Sequence, residues 1–533
     1  MKRFLPAVLA AAFLAGGLRP APLIAEEGPR TSSADKASPE QPARRPKTWR
    51  ALVEQGILFS ASSIQYLSNY DDFTVDWQFT WATFGQKFFT SQSPRFDSNA
   101  FWYNWSHAGA GAGYYTMART NGLNSRWSFL FSLASSSVWE TVIEWRELIS
   151  INDMLFTSFG GPAIGESLYQ VGSYFSHRKG FWSGLAGFVF NPFLFVNNWF
   201  DRSEGRAANS APDPDWHRFT LYAGLKQDKV GPAGSTAAPV AGVWYEQFHF
   251  GADMETGNEA GPSGALSDTL SSRSLLDASF ASAGLEEIRI RTSAVLFGHR
   301  WSSVGEEPDG ALRGGSVTLG YGTAFEMDRK RKVAWYDSND EVEGGLHAPE
   351  GDARLDRPVP TLFTDKLGVI SPAGGVLILS RFAPRFHARW ASGVYADFAM
   401  VNSLPYNTFT ESHDTSGVKT TLLNWGYYYG WGLTLTTDAA VDWGPWHVRG
   451  AAGYQAYASI QGLDRYQYQG LIADDFKLRD SRLAWRLSLG YRLPRTPIEL
   501  GFAAEGITRR GELLDLSERY TEQRFLYELR AVF

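Results

Sequence analysis

The chain has 533 residues, of which 20% are charged and 15% are aromatic, and it contains no cysteine. The many aromatic residues exclude a collagen or a largely disordered chain, and the absence of cysteine excludes a disulfide scaffold and thiolate chemistry. The formal net charge of −6 argues against a nucleic-acid partner, because proteins that bind nucleic acids carry a basic face.

A mean hydropathy of −0.25 and the lack of a long apolar run beyond the N-terminus argue against a protein built from membrane-spanning helices. A transmembrane β-barrel remains compatible with these values. Its strands alternate apolar and polar residues and so average to a low hydropathy.

The N-terminus has the pattern of an export signal. Lys2 and Arg3 give it a positive charge, and an apolar stretch follows at residues 4–18. This pattern predicts a signal peptide over residues 1–25. Residues 26–48 are rich in proline, serine and charge, which predicts a disordered tether.

Residues 74–84 alternate apolar with polar side chains and predict a first barrel strand. Its apolar face consists of Val75, Trp77, Phe79 and Trp81. From 85 to 200 the apolar spacing changes to three and four residues, which predicts a helical insert. The three polar helices of this insert are expected near residues 107–119, 127–148 and 162–175. Asn191 and Pro192 interrupt its last apolar stretch, which predicts a re-entrant or interfacial segment packed on the barrel.

The second predicted helix carries polar side chains at successive four-residue steps, namely Ser132, Ser136, Glu140 and Glu144. This spacing places them on one face of the helix. The two carboxylates repel each other in a stretch rich in tryptophan, so a cation or a hydrogen-bond donor must lie near them. The candidate partners are His107, Arg119 and the turn at residues 150–153.

The motifs of this stretch follow a distinctive order. They are Asn104-Trp-Ser-His107, a glycine-rich run at 111–119, Trp139-Glu140, Glu144, Ser150-Ile-Asn-Asp153, Gly160-Gly161 and Gly165-Glu166. In this order they resemble an uncharacterised bacterial envelope family, domain of unknown function 3943, over about residues 70–200. Ala108 stands where the family pattern usually has proline. The resemblance implies an envelope protein with an embedded polar helical core, and it implies no established activity and no catalytic assignment.

Three hypotheses for the polar cluster stay open. In the first, paired Glu, His and Arg side chains hold the helices against or inside a barrel. In the second, an enzyme acts on lipid or lipopolysaccharide at the membrane face, with His107 as base and Ser136 as nucleophile. A glutamate of the stripe, Glu140 or Glu144, would then orient the histidine. In the third, a metal ion is bound by a mixed nitrogen and oxygen set, namely His107, Glu140, Glu144 and Asp153.

Further binding contacts are expected from Asn104, Arg119, Ser150, Asn152, Asp153 and Glu166. The sequence contains no zinc signature of the HExxH type, no phosphate-binding loop and no dinucleotide fingerprint. We therefore predict no cofactor and assign no metal to the site residues. The first hypothesis, in which the paired side chains hold the helices against or inside a barrel, is the primary one. The enzyme hypothesis is the alternative.

Beyond residue 216 the dominant period of apolar residues is two. One late segment has a wholly apolar face, made of Leu483, Trp485, Leu487, Leu489, Tyr491 and Leu493. The other face of each predicted strand is polar, and arginines on these polar faces are expected to line a polar lumen. They are Arg289, Arg291, Arg389, Arg449 and Arg486. Short turns are expected at 383–385, 444–445 and 494–497. They alternate with long polar loops near 254–284, 328–362, 400–424, 459–482 and 508–520. This asymmetry is typical of outer-membrane barrels.

We count eleven strands over 216–533, and residues 74–84 would supply a twelfth. The predicted fold is mainly β, with a transmembrane antiparallel β-barrel of about twelve strands (ten to fourteen) and a three-helix polar insert. Even strand numbers are usual for such barrels, because both ends of the chain then lie on the same side of the membrane.

The last strand carries an apolar stripe that ends in an aromatic residue, namely Phe525, Tyr527, Leu529, Ala531 and Phe533. This stripe resembles the C-terminal signal that the barrel-assembly machinery reads in bacterial outer-membrane proteins. We therefore expect export to the cell outer membrane, with membrane lipid and that machinery as partners and no nucleic acid. The primary functional hypothesis is a barrel of uncharacterised activity whose helical insert plugs or gates a polar lumen.

Overall fold

The computed structural model describes residues 46–68, 80–99, 101–145, 147–203, 214–230, 244–266, 271–281, 284–308, 310–330, 365–406, 409, 413, 420–422, 426–468, 470–471 and 476–533. The predicted signal peptide lies outside the described residues, as does the predicted tether up to residue 45. The last residue of that tether, Thr48, already begins a helix.

Seven helices precede the barrel in the described part of the chain. They are α1 (Thr48–Ser68), α2 (Trp81–Phe89), α3 (Phe101–Thr120), α4 (Ser125–Val138), α5 (Ile151–Ser176), α6 (Phe181–Phe190) and α7 (Pro192–Ser203). A π-helical turn, Trp139–Ile143, extends α4. We refer to the described residues between 48 and 203 as the helical segment. The three helices predicted near 107–119, 127–148 and 162–175 correspond to α3, to α4 with its π-helical turn, and to α5. The segment contains further helices and lies N-terminal to every described strand, so it is not an insert between two described strands.

Local sequence signals explain where the central helices begin. The side chain of Asn124 accepts a hydrogen bond from the backbone N–H of Trp127 at the start of α4, and Ser150 does the same for Asp153 at the start of α5. Such caps satisfy N–H groups that a helix leaves free. Pro192 begins α7, where its missing N–H has little cost. Among the described helices, none is both long enough and apolar enough to cross a membrane.

Twelve long strands follow the helical segment. They are β1 (Trp216–Val230), β2 (Trp244–Gly257), β4 (Ser271–Ala281), β5 (Gly284–Ser302), β7 (Leu312–Lys330), β8 (Asp365–Ala383), β9 (Phe386–Asn402), β10 (Tyr427–Trp443), β11 (Trp446–Ser459), β12 (Leu478–Arg492), β13 (Ile498–Leu513) and β14 (Leu516–Val532). The described parts of the connections include the short elements β3 (Gly264–Leu266), β6 (Gly305–Glu306) and α8 (Arg465–Tyr468).

The twelve long strands form one closed antiparallel barrel. Each pairs with the next long strand along the chain, and β1 pairs with β14, with Thr220 opposite Val532. Closure removes both sheet edges, whose unpaired N–H and C=O groups would be very unfavourable in lipid. The predicted barrel and its strand number are therefore confirmed.

The strand predicted at residues 74–84 is wrong where the structure describes it. Residues 81–84 belong to α2, which begins with reciprocal hydrogen bonds between Thr80 and Thr83. This capping box is a helix-start signal, and residues 74–79 lie outside the described residues. The twelfth strand is instead β4, within the predicted loop 254–284. Its four serines and its charged residues hide the apolar alternation.

The connections are long at one end of the barrel, which we call the long-loop end. Those connections are residues 331–364, 403–426 and 460–477. The opposite end has two-residue turns at 384–385 and 444–445, as the sequence predicted. The loop predicted at 508–520 is wrong, because a two-residue turn joins β13 to β14 there. In outer-membrane barrels the long loops lie on the external side.

Alternate strand residues show which face of the wall points outward. In β10, Trp431 and Leu435 are exposed, whereas Thr434 is buried. Odd-numbered residues of this strand therefore face outward, because successive side chains point to opposite faces. Tyr427 and Tyr429 share that outward face, yet both are buried. Another part of the chain must cover the wall at this position.

The helical segment provides this cover. The ring of Phe156 in α5 lies 5.9 Å from that of Phe398, an outward-facing residue of β9. Near the other end of α5, the ring of Phe175 lies 5.6 Å from that of Phe219 in β1. The lumen cavity is lined by no described residue of the helical segment. The expected helical plug is therefore wrong. The outward face offers an apolar surface to α5, whereas the lumen is charged.

The connection between β9 and β10 narrows the lumen at the long-loop end. Its described residues Tyr406, Phe409 and Leu422 form an apolar cluster with inward-facing Tyr428 and Leu478. Full burial of such side chains stabilises a fold by roughly 1.5–3 kcal/mol each. The connection between two barrel strands, rather than the helical segment, thus occupies this mouth.

Candidate functional site

The centre of the helical segment is a close crossing of α3 and α5. A Cβ atom added at Gly111 would overlap the backbone carbonyl of Thr157, and one added at Gly160 would overlap Ala108. Only glycine permits backbones to approach this closely. Helix α4 joins the crossing through Ser132, whose Oγ donates to the carbonyl oxygen of Gly111 at 3.3 Å.

Arg119 of α3 and Glu166 of α5 form a buried ion pair at this crossing. Nε of Arg119 donates to Oε2 of Glu166 at 2.9 Å, and Nη2 donates to Oε1 at 3.1 Å. Tyr115 and Gln170 donate two further hydrogen bonds to the same carboxylate. With four donors in place, the pair is well suited to brace the two helices.

A chain of amide hydrogen bonds connects the start of α5 to α3 and to the barrel. Nδ2 of Asn152 donates to Oδ1 of Asn104 at 2.6 Å. Oδ1 of Asn152 accepts from the backbone of Asp97 at 2.8 Å and from Oγ of Ser150 at 3.1 Å. Nδ2 of Asn104 donates to the hydroxyl of Tyr427 in β10 at 3.3 Å. Three of the predicted binding residues are thus joined to the outer wall.

Lys87 anchors the π-helical turn, although the sequence analysis did not single it out. Its Nζ donates to the carbonyl oxygens of Glu144 at 2.7 Å, Glu147 at 3.0 Å and Glu140 at 3.1 Å. These bonds satisfy carbonyl groups that the end of a helix leaves free. Burial lowers the pKa of Lys87 to about 8, and the neighbouring carboxylates oppose that shift. No sequence pattern marks this lysine, because its hydrogen-bond partners are backbone atoms.

His107, Glu140 and Asp153 meet between α3, the π-helical turn and α5, and we call them the His–Glu–Asp cluster. One potential ligand atom from each residue lies within 4.8 Å of the other two. Nδ1 of His107 lies 3.5 Å from Oδ1 of Asp153 and 2.9 Å from the carbonyl oxygen of Tyr103. The histidine therefore faces the carboxylate of Asp153, whereas the sequence predicted it as a partner of Glu140 or Glu144.

The two glutamates of the predicted stripe differ in their surroundings. Oε1 of Glu144 accepts a hydrogen bond from the indole N–H of Trp139 at 2.7 Å. Glu140 is 2% exposed, accepts a bond from the backbone of Ser150, and has no hydrogen-bond partner for Oε2 in the described chain. Burial, followed by repulsion from nearby carboxylates, raises the pKa of both glutamates well above the ordinary value. Each carboxyl group therefore tends to hold its proton.

Ser136 and Arg119 have their described hydrogen bonds with residues outside the His–Glu–Asp cluster. Ser136 donates to the carbonyl oxygen of Met154 at 3.4 Å, so its described hydrogen bond goes to the backbone rather than to His107. A serine nucleophile needs a base within hydrogen-bond reach, and the enzyme hypothesis is not supported by this geometry. Arg119, considered as a partner for the glutamates, pairs with Glu166 instead.

The barrel lumen is a second polar site. It encloses a cavity of about 330 Å³ whose walls contain eight arginines and six carboxylates. The arginines are Arg218, Arg273, Arg289, Arg291, Arg389, Arg449, Arg486 and Arg530. All five arginines predicted to face the lumen are among them, so that prediction is confirmed.

Ion pairs cross the lumen between strands that are not neighbours in the wall. Nη1 of Arg289 in β5 lies 2.9 Å from Oε2 of Glu505 in β13. Nη1 of Arg389 in β9 lies 3.0 Å from Oε1 of Glu255 in β2. Arg449 in β11 lies 2.8 Å from the other oxygen of Glu255. These contacts join opposite walls and narrow the path between the two ends.

Residues 93–193 match a family model described as "Domain of unknown function (DUF3943)". The resemblance carried by the motifs of the helical segment is therefore confirmed, and the His–Glu–Asp cluster lies within the matched residues. None of the curated proteins searched matches the chain.

Several solved outer-membrane proteins overlap the chain. The outer membrane channel DcaP of Acinetobacter baumannii is 11% identical, with 60% of this chain and 97% of that chain covered and a TM-score of 0.20. The translocator domain of autotransporter NalP from Neisseria meningitidis is 10% identical, with 62% and 92% covered and a TM-score of 0.19. OccK1 (OpdK) of Pseudomonas aeruginosa is 10% identical, with 60% and 99% covered and a TM-score of 0.19. At these TM-scores the overlaps carry no argument about function.

Proposed function

We propose that this chain is an outer-membrane barrel that admits small anionic solutes, bearing carboxylate or phosphate groups, to an arginine-lined lumen. The observation that carries the proposal is the composition of the lumen wall, where eight arginines face six carboxylates. Guanidinium groups bind carboxylate and phosphate through paired hydrogen bonds. An excess of guanidinium groups over carboxylates in the lining attracts anions and disfavours cations.

The outer surface of the barrel supports a membrane location. Large apolar side chains such as Trp431, Leu487 and Phe502 are exposed on the outward face. Apolar surface of this extent is unfavourable in water and favourable in lipid. Export through the predicted signal peptide to the outer membrane belongs to the same proposal.

Solute entry would be restricted rather than free. Glu255 occupies both Arg389 and Arg449 across the lumen, and an entering anion has the chemistry to replace it there. At the long-loop end, Tyr406 and Phe409 would have to move aside, because they pack within the mouth. In this proposal the gate is therefore a barrel loop together with cross-lumen ion pairs, and the helical segment braces the outer wall.

The test is ion selectivity in planar lipid bilayers under a salt gradient. We expect the wild-type protein to show a reversal potential on the anion side. Arg291→Gln should shift this potential toward cations, because Arg291 lines the cavity and its side chain is 35% exposed there. Arg313→Gln is the matched control, since Arg313 is exposed and lies outside the cavity lining.

Two results would contradict the proposal. The first is cation selectivity, or the absence of any conductance, in the folded wild-type protein. The second is an equal reversal potential for Arg291→Gln and wild type. Folding of each variant is verified by the different gel mobility of boiled and unboiled samples.

A further inference from the structure

We propose that the His–Glu–Asp cluster binds one divalent transition-metal ion of the Zn²⁺ or Mn²⁺ type. A ring nitrogen of His107 and one carboxylate oxygen each from Glu140 and Asp153 lie within 4.8 Å of one another. Donor atoms bound to one Zn²⁺ at about 2.0–2.2 Å are about 3–4 Å apart. Movements of about an ångström in these side chains would therefore complete the coordination.

The buried carboxylate of Glu140 supplies independent support for a ligand. Glu140 is 2% exposed, and its Oε2 has no hydrogen-bond partner within the described part of the chain. A buried polar atom without a partner is unfavourable and uncommon in folded proteins. A metal ion bound between Glu140, His107 and Asp153 would provide the missing partner.

The other two ligands are held by outer hydrogen bonds of the kind that surrounds metal sites. Nδ1 of His107 lies 2.9 Å from the carbonyl oxygen of Tyr103. Because a carbonyl only accepts, Nδ1 carries the proton in this contact, and Nε2 is the ring nitrogen with a lone pair for a metal. Nδ1 is also the nitrogen that lies 3.5 Å from Oδ1 of Asp153, so the imidazole would have to turn to direct Nε2 at the ion. Asp153 accepts hydrogen bonds from Asn152 at 2.9 Å and from Asn99 at 3.5 Å. The two amide contacts fix the orientation of Asp153.

The surrounding charge also favours a divalent cation. Burial, followed by repulsion from neighbouring carboxylates, raises the pKa of Asp97 and Glu144. A divalent cation at the cluster would relieve that repulsion, which Lys87 and Arg465 offset only in part. One imidazole with two carboxylates suits transition metals, whereas Ca²⁺ and Mg²⁺ prefer oxygen ligands alone.

The position of the site indicates what the ion would do. Its three ligands come from α3, the π-helical turn and α5, so the ion would join three elements of the helical segment. Three protein ligands leave a coordination position open, as in catalytic metal sites. The side chain of His107 is 24% exposed, which gives an ion a route from outside.

The experiment is calorimetric titration of the full-length, EDTA-treated protein in detergent with Zn²⁺. We expect one equivalent per chain for wild type and for His177→Ala, the control, since His177 is an exposed histidine of the same segment. His107→Ala, Glu140→Gln and Asp153→Asn should each weaken binding by about tenfold or more. Gel mobility with and without boiling verifies that each variant is folded.

A second measurement keeps the proposal testable if a variant fails to fold. Wild-type protein loaded with Co²⁺ should show a visible absorption band distinct from that of the aqueous ion, because protein ligands alter the d–d transitions. The proposal is overturned if wild type binds no Zn²⁺, if the folded ligand variants bind as wild type does, or if Co²⁺ keeps its aqueous spectrum. None of these outcomes bears on the ion selectivity of the lumen, so the two proposals fail separately.

Discussion

Arg119 and Glu166 are both buried and join α3 to α5 through hydrogen bonds of 2.9 and 3.1 Å. Replacing one partner leaves the other charge unpaired, which typically costs about 3–5 kcal/mol for a buried pair. We therefore expect Arg119→Met to destabilise the helical segment by this amount while the closed barrel persists. Limited proteolysis should show faster cleavage between residues 48 and 203, with the heat-dependent gel shift of the barrel retained.

The double variant Arg119→Met/Glu166→Leu is the control for this pair. It removes both charges together, so no charge is left buried without a partner. Its helical segment should resist proteolysis better than that of Arg119→Met. Equal cleavage rates in the single and double variants would show that the pair contributes packing alone.

Gly111 offers a test of the helix crossing with a control in the same helix. Gly111→Ala should destabilise the helical segment by about 1–3 kcal/mol, because its new Cβ overlaps the backbone of Thr157. Gly113→Ala adds the same atom where nothing lies within 4 Å, and alanine favours a helix over glycine by about 1 kcal/mol. Thermal unfolding followed by near-ultraviolet circular dichroism should therefore rank Gly113→Ala above Gly111→Ala. The reverse order would contradict the observed crossing.

The barrel could be predicted from sequence because its signal is local. Alternation of apolar and polar residues in strands such as β12 fixes both the strand and the direction of each side chain, which is why Arg486 could be placed in the lumen. The strand β4 was missed because its serines and Asp277 blur that alternation. Residues 81–84 were misread because Trp81 and Thr83 also fit a strand, and the Thr80 capping box outweighs that pattern.

The position of the helical segment could not be predicted in the same way. An outward Phe398 or Met400 is apolar whether it faces lipid or a helix, so the strand pattern alone does not reveal the covered part of the wall. The polar stripe did identify Glu140, and the motif order identified His107 and Asp153. The role of Lys87 could not be predicted, because it binds backbone carbonyl groups, which every residue has, and such contacts produce no sequence pattern.

The mouth at the long-loop end can be tested by removing its side chains. Tyr406→Ala/Phe409→Ala should raise single-channel conductance, because both rings pack in the apolar cluster that narrows the lumen. Trp431→Ala is the control, since Trp431 is exposed on the outward face. Planar bilayer recordings should show larger or more frequent openings only in the double variant. Unchanged conductance in the folded double variant would place the restriction elsewhere.

Phe533 has a predicted role in assembly and an observed role in packing. In the structure it belongs to an apolar cluster with Val171 and Phe175 of α5. We expect Phe533→Ala to reduce the amount of protein in the outer-membrane fraction, because the terminal aromatic residue is the proposed signal for the assembly machinery. Phe175→Ala should loosen the same cluster without reducing that amount. Equal outer-membrane yields for wild type and Phe533→Ala would show that Phe533 is not needed for assembly.

Paired cysteines test most directly the claim that the helical segment covers the outer wall and leaves the lumen to solutes. The chain contains no cysteine, so a Phe156→Cys/Phe398→Cys variant carries a single pair, at positions whose rings lie 5.9 Å apart. Ala399, the next residue of β9, faces the lumen, and Phe156→Cys/Ala399→Cys is therefore the matched control. A short bifunctional thiol reagent applied to intact outer membranes should cross-link the Phe398 pair and leave the Ala399 pair unlinked. Cross-linking of the Ala399 pair, with the Phe398 pair unlinked, would place α5 inside the barrel and contradict the account.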